Sequence, residues 1–264
     1  MNMKSILSAL VFAIFLAACG GAQRTAITAD RLMYNSLATF TVSGPNLDKG
    51  IVVVSPLCTG IVELAGGTAT QRTYTCTPLT VGVMAVTVTG GGTTLHSDTF
   101  TVPPPQVSIK TTMGDITLEL DPVAAPISVK NLLKYVSASF YTNLIFHRVI
   151  PNFVIQAGGY DSALVAATPG TPIKLEAGNG LSNLRGTVAM ARSDAADSAT
   201  SQFYINTVDN VNLDTLGGGY AVFGKVVSGL QTVDAISAVV TGTSNSMSDV
   251  PVIPVVITSV TRIQ

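Results

Sequence analysis

Apolar and polar residues alternate over short stretches through most of this 264-residue chain. Ala38-Thr39-Phe40-Thr41-Val42, Ile51-Val52-Val53-Val54 and Val83-Met84-Ala85-Val86-Thr87-Val88 are strand-like runs. Ser43-Gly44-Pro45-Asn46, Gly66-Gly67 and Gly90-Gly91-Gly92 separate them as turns. Such spacing, with no helical period across 26–102, predicts a β-sandwich of about 75 residues. Pro103-Pro104-Pro105 then interrupts the pattern. Three prolines favour an extended, stiff spacer that enters neither sheet's interior, so 103–106 reads as a linker with few contacts across it.

Past the linker, alternation resumes at Val107-Ser108-Ile109-Lys110, turns near Met113-Gly114-Asp115 and continues through Ile116-Thr117-Leu118-Glu119-Leu120. The period changes at 126–138, where Val129, Leu132, Leu133 and Val136 form an i, i+3, i+4, i+7 stripe behind Pro126. A second short helix is predicted from about Gln231 to Val239, with Val233, Ile236 and Val240 inward. The fold class is thus mostly β, in two domains, 26–102 and 107–264.

The first residues have a different pattern. Lys4 precedes an apolar run from Ile6 to Leu16, shorter than the roughly 20 residues a spanning helix needs. Leu16-Ala17-Ala18-Cys19-Gly20 follows and resembles a bacterial lipobox. The resemblance implies a signal peptide over 1–18, acyl chains on Cys19 and a lipidated tether over 19–25. Two or three chains anchor a protein stably where one does not. The implied location is the bacterial cell envelope, facing the periplasm, with Gly20 favouring the outer membrane over the inner. The alternative is ordinary secretion, leaving Cys19 a free thiol.

Lys and Arg number 14 against 15 Asp and Glu, a net charge of −1, which gives no basis for nucleic-acid binding. Setting Cys19 aside leaves Cys58 and Cys76, both in the first domain. In an exported protein such a pair reads as one disulfide, the alternative being two buried free thiols. The spacing excludes a Cys-x-x-Cys redox or zinc site.

The most informative segment is Phe146-His147-Arg148-Val149-Ile150-Pro151-Asn152-Phe153-Val154-Ile155-Gln156. A permanent cation among strand formers requires a partner, because burying an unpaired charge is costly. Either Arg148 reaches solvent or a carboxylate, or it supplies a donor fork in an apolar groove that grips a peptide carbonyl. His147 neighbours Arg148, but adjacent side chains of a regular strand face opposite ways, so His147 reads as structural. By the same rule Phe153 and Gln156 share a site only if their strand begins late or carries a bulge.

With Asn183 to Arg192, Asp197 to Asn206 and Gly219 to Val227, this segment resembles the signature of the cyclophilin family of peptidyl-prolyl isomerases. The resemblance covers roughly 107–264 and implies a closed antiparallel β-barrel capped by two helices. It implies Arg148 as the catalytic donor, with Phe153, Met190 and either Phe203 or Tyr204 lining a proline pocket. Gln156 and Gln202 would fix the substrate backbone, Ala191 and Arg192 would offer main-chain contacts, and Leu213 would close the edge. Tyr220 stands where many relatives have histidine, and Asn212 where they usually carry a large aromatic. The implied substrate is a proline-containing polypeptide, with no cofactor and no metal. The alternative function is a catalytically weak proline-peptide binder whose N-terminal domain selects partners. Thr39 to Leu47 resembles bacterial immunoglobulin-like domains, a likeness that names no partner for residues 26–102.

Overall fold

A computed structural model describes residues 24–48 and 50–264. Cys19 and the lipobox-like segment lie outside the described residues. The N-terminal part contains seven strands: β1 (Ala26–Asp30), β2 (Ala38–Ser43), β3 (Ile51–Val54), β4 (Cys58–Glu63), β5 (Gln71–Pro78), β6 (Gly82–Gly90) and β7 (Thr93–Val102). They form a four-stranded sheet in the order β1-β2-β5-β4 and a three-stranded sheet in the order β3-β6-β7. In β2 alternate residues Ala38, Phe40 and Val42 are buried, and Phe40 meets Phe100 of the other sheet edge-on at 5.6 Å between ring centroids. Cys58 and Cys76 form a disulfide with Cα atoms 5.8 Å apart, joining the paired strands β4 and β5. That bridge lies within one sheet, unlike the inter-sheet bridge of antibody domains.

The C-terminal part comprises β8 (Gln106–Thr111), β9 (Gly114–Leu120), α1 (Pro126–Ser137), β10 (Leu144–Ile150), β11 (Val154–Asp161), β12 (Thr187–Met190), β13 (Phe203–Asn206), β14 (Val222–Ser228), α2 (Leu230–Ser237), β15 (Thr241–Ser244), β16 (Met247–Pro251) and β17 (Ile257–Arg262). Eight of these strands make an antiparallel sheet, β10-β11-β13-β12-β14-β9-β8-β17. Its ends approach closure: the Phe146 N–H donates to Val255 O at 3.0 Å and the Asn143 N–H to Ile257 O at 2.8 Å. The result is a nearly closed barrel, which β15 and β16 flank as a separate hairpin.

Both helices match the apolar stripes. Val129, Leu132, Leu133 and Val136 of α1 are buried, as are Val233 and Ile236 of α2. Val240 is the exception, 75% exposed, because α2 ends at Ser237 and the helical period no longer carries that side chain inward. Ala125 has no side chain to cap α1, and a distant carboxylate does so. Glu176 accepts from the Ile127 N–H at 2.9 Å and from the Ser128 N–H at 2.8 Å, satisfying orphan donors of the first turn.

The boundary between the two parts is not free of contact. Arg262, in the last strand of the barrel, donates to Tyr34 O at 2.6 Å and to Ser36 Oγ at 2.9 Å. Pro105 is buried, and its carbonyl accepts from the Leu120 N–H at 2.9 Å. The proline run is thus laid against the barrel and does not stand off it as a bare spacer.

Candidate active site

One row of the barrel ladder carries most of the candidate chemistry. Arg148 of β10 pairs with Gln156 of β11, Gln156 with Tyr204 of β13, Tyr204 with Ala189 of β12, and Ala189 with Val222 of β14. Residues directly opposite in a ladder share a face. Here that face is the outer one, where Val154, Ala189, Tyr204, Leu213 and Val222 form an apolar cluster separate from the barrel interior. The neighbouring residues Ile155, Met190, Phe203 and Ile205 alternate inward and join the main core.

The row ends in a cavity of about 280 Å³, lined by Arg148, Phe153, Val154, Gln156, Ala191, Arg192, Tyr204, Leu213, Leu216 and Tyr220. Larger hollows of about 610 and 720 Å³ lie elsewhere, but neither includes Arg148 or any residue of this row's outer face except Val222. Chemistry, not size, selects the smaller cavity.

Phe153 reaches it because the second strand starts late. Pro151, Asn152 and Phe153 form a turn, Asn152 adopts φ +57, and β11 begins only at Val154. Asparagine tolerates that left-handed conformation better than most side chains. The first strand carries a bulge: Phe146 pairs with Ala157 and Arg148 with Gln156, so His147 is the extra residue. His147 is buried, packs 4.9 Å from the Tyr160 ring and does not line the cavity. Burial lowers its pKa to about 4, keeping the ring neutral.

The donors are unevenly committed. Arg148 Nη1 donates to Gln156 Oε1 at 3.3 Å, and Gln156 Nε2 donates to Gln202 Oε1 at 2.9 Å. The Gln202 amide lies over Gly159, where a Cβ would come within 2.7 Å of it and displace it from this position. Arg148 also sits 6.0 Å from the Phe153 ring centroid. The Ala191 N–H is taken by Gln202 O at 3.0 Å, so it is not free for a ligand.

Met190 and Phe203 are not in the lining. They pair across β12 and β13, are each 1% exposed and point into the barrel. The resemblance left Phe203 or Tyr204 open as a pocket wall, and strand alternation gives that place to Tyr204. Gln202 supports the cavity from one step behind, through Gln156. Asn212 is exposed and outside the lining.

Sequence reasoning missed Val154, Leu216 and a buried amide network. The Tyr204 hydroxyl donates to Asn183 Oδ1 at 2.8 Å, Asn206 Nδ2 donates to the same oxygen at 3.1 Å, and Asn183 Nδ2 donates to Asp214 Oδ1 at 2.8 Å. Asn210 Nδ2 donates to Asn206 Oδ1 at 2.8 Å and to Phe153 O at 2.9 Å. The network therefore ties the Phe153 turn, Tyr204 and the 3-10 turn at Val211–Asp214 that carries Leu213. Desolvation pushes the Asp214 carboxyl up, but hydrogen bonds from Ser182 and Asn183 outweigh it and hold its pKa below the usual value. Burial raises the Tyr204 hydroxyl well above its ordinary value, so it remains a donor. Of these three buried asparagines, Asn206 ends β13, and Asn183 and Asn210 lie in loops.

Comparison with known proteins agrees with this geometry. The family described as cyclophilin type peptidyl-prolyl cis-trans isomerase/CLD matches residues 106–262. A peptidyl-prolyl cis-trans isomerase of Acinetobacter baylyi is 51% identical over 156 residues, covering 58% of this chain and 83% of that protein. Peptidyl-prolyl cis-trans isomerase B of Escherichia coli is 48% identical over 160 residues, covering 59% and 98%. The solved structure of a Cryptosporidium parvum cyclophilin type isomerase aligns with a TM-score of 0.51 at 26% identity, over 61% of this chain and 98% of that one. A nearly closed eight-stranded barrel, two helices and an arginine-bearing cavity on its outer face thus agree with every one of these likenesses: the chain belongs to the cyclophilin-type peptidyl-prolyl cis-trans isomerases.

Proposed function

We propose that the chain speeds rotation about X-Pro bonds in exported and envelope polypeptides by stabilising the twisted imide with Arg148. The barrier is about 18–20 kcal/mol, because resonance gives the C–N bond double-bond character. Spontaneous exchange therefore takes tens to hundreds of seconds. Acceleration requires only that the twisted form bind more tightly than either planar form. Twisting removes the resonance and returns a lone pair to the proline nitrogen, which then accepts a hydrogen bond. Arg148 supplies the donor, Gln156 holds the substrate backbone with Gln202 steadying it from behind, and Phe153, Leu213, Tyr204 and Tyr220 enclose the ring. No bond is made or broken and no proton is transferred.

The observation that carries this reading is the commitment of Arg148. Among the described residues one of its N–H groups bonds Gln156, while the guanidinium lines the cavity. The test is the cis–trans exchange rate of an Ala-Pro peptide by NMR, with wild type and with Arg148→Ala. Slow exchange in the presence of folded wild type would leave only a proline-peptide binder.

The lipobox-like sequence ending at Cys19 supports tethering by acyl chains, on the periplasmic side and on the outer membrane, where unfolded exported chains pass. Two sheets of four and three strands support an immunoglobulin-like reading of residues 26–102. We infer that this module holds the isomerase at a distance from the membrane.

A further inference from the structure

Two arginines line the cavity, and their donors are used in opposite ways. Arg148 has one bond to a side chain. Arg192 makes four to main-chain carbonyls: Nε to Gly219 O at 3.0 Å, Nη1 to Ser193 O at 2.9 Å and to Asp194 O at 3.4 Å, and Nη2 to Gly217 O. A guanidinium has five N–H groups, so Arg192 has little left for a ligand. It also stacks 4.7 Å from the centroid of the Tyr220 ring.

Those acceptors belong to two loops, one after β12 and one before Tyr220. The second is costly to order. Gly217, Gly218 and Gly219 have φ of +59, +95 and +88, and glycine loses more freedom on ordering than any other residue. At Gly219 only glycine fits, because a Cβ would lie 2.5 Å from Asp214 O. The segment's own contacts are few: Gly218 N–H to Thr215 O at 3.1 Å, Gly219 N–H to Leu216 O at 3.0 Å and Tyr220 N–H to Leu213 O at 3.0 Å. Its two cavity-facing side chains, Leu216 and Tyr220, bracket the glycines.

We propose that the Arg192 side chain is a positioning residue, a clip that fixes Gly217–Gly219 so that Leu216 and Tyr220 form a preformed wall for the substrate. This rests on the isomerase reading and adds a division of labour within it. Arg148 acts on the reacting bond, and Arg192 sets how well the flanking residues bind. A lysine cannot replace the clip, since an ammonium does not reach two loops in the plane of one fork.

NMR titration with an Ala-Pro peptide separates dissociation constant from exchange rate on the enzyme. Arg192→Ala is expected to weaken binding about tenfold, the scale of ordering one loop wall, and to change the on-enzyme rate less than about twofold. Arg192→Lys is expected to track Arg192→Ala. Tyr220→Leu is expected to give a similar loss, and the double variant Arg192→Ala/Tyr220→Leu to lose little more than either alone, because both remove one wall. Amide exchange of Gly217–Gly219 in Arg192→Ala is expected to lose protection. Unchanged binding, additive losses in the double variant, or a fall in the on-enzyme rate with binding intact would each overturn the proposal. A folded wild type that does not catalyse exchange would overturn the isomerase reading instead, and so the two failures are distinguishable.

Discussion

Arg148 and Gln156 face each other across a single step of the β10–β11 ladder, with Nη1 3.3 Å from Oε1. The bulge at His147 makes this pairing possible, because it resets which face the arginine occupies. Gln156 in turn holds Gln202, so the donor, the amide and its support lie in one chain of contacts.

Arg148→Ala is expected to cut peptide exchange by about one to three powers of ten, roughly 1.4–4 kcal/mol of barrier, with the fold intact. Arg148→Lys should recover only part, since an ammonium lacks the planar fork. Phe153→Ala should mainly weaken binding, because it removes wall and not donor. Exchange rates by NMR, with circular dichroism as the control for folding, decide among these. A folded Arg148→Ala protein with the wild-type rate would leave Arg148 a structural charge.

Asn183→Ala is expected to destabilise the barrel by about 1–3 kcal/mol. It leaves the buried Tyr204 hydroxyl without its partner, and such an orphan costs about 1–3 kcal/mol, while Asn206 keeps Thr187 and Asp214 keeps Ser182 and the backbone N–H of residue 183. Peptide binding should weaken too, since Phe153 and Leu213 hang on the same network. Guanidinium unfolding measures the first effect. A loss below about 1 kcal/mol would mean that the network relaxes freely.

His147 predicts a pH dependence of stability. Its folded pKa is depressed to about 4 from an unfolded value of about 6.5. Below the higher value the unfolded chain takes up a proton that the folded chain refuses, so stability falls as pH drops from about 6.5 to 4 and then levels off for this group. The full effect is about 3 kcal/mol. His147→Gln should flatten that part of the curve in thermal melts. Isomerase activity should stay level from about pH 6.5 to 8.5, because the proposed step moves no proton.

Residues 106–264 are expected to unfold cooperatively when expressed alone, but at a lower temperature than the barrel within the whole chain. The isolated fragment loses the Arg262 bonds to Tyr34 and Ser36. Arg262→Ala in the full chain should reproduce part of the shift, a few degrees in Tm for about 1 kcal/mol. Reducing Cys58–Cys76 should lower only the N-terminal transition, by about 3 kcal/mol. Calorimetry of the four samples tests all three, and a fragment with no cooperative transition would make the two parts one folding unit.

Wild-type protein from a bacterial membrane fraction is expected to carry a diacylglyceryl adduct on Cys19, and Cys19→Ser to be found without it. Mass spectrometry of the N-terminal peptide decides, and an unmodified wild-type cysteine would remove the lipid tether.

Much of the barrel and its cavity was readable because local rules governed it. Stripes of period 3.6 marked both helices, and the Pro151-Asn152 turn marked the late strand that lets Phe153 and Gln156 share a site. What escaped depended on partners distant in sequence. Alternation says that one of Phe203 and Tyr204 faces inward, but only the pairing of Phe203 with Met190 says which. Val240 continued the stripe on paper beyond the point where α2 stops. Arg262 gave no sign that it would cross to Tyr34, and Asn183 read as part of a motif and not as the hub joining two walls. Glu176, 49 positions from Ile127, caps a helix that no adjacent residue caps.

The missing side chain at Gly159 gives the site a hidden dependence. A single added methyl there would press on the Gln202 amide, tilt it away from Gln156 and loosen the arginine one contact further on. Such a variant would touch no ligand, alter no charge and leave the barrel standing. In a screen of substitutions it would be scored as remote from the chemistry, although it acts from behind on the contacts that run from Gln202 through Gln156 to Arg148.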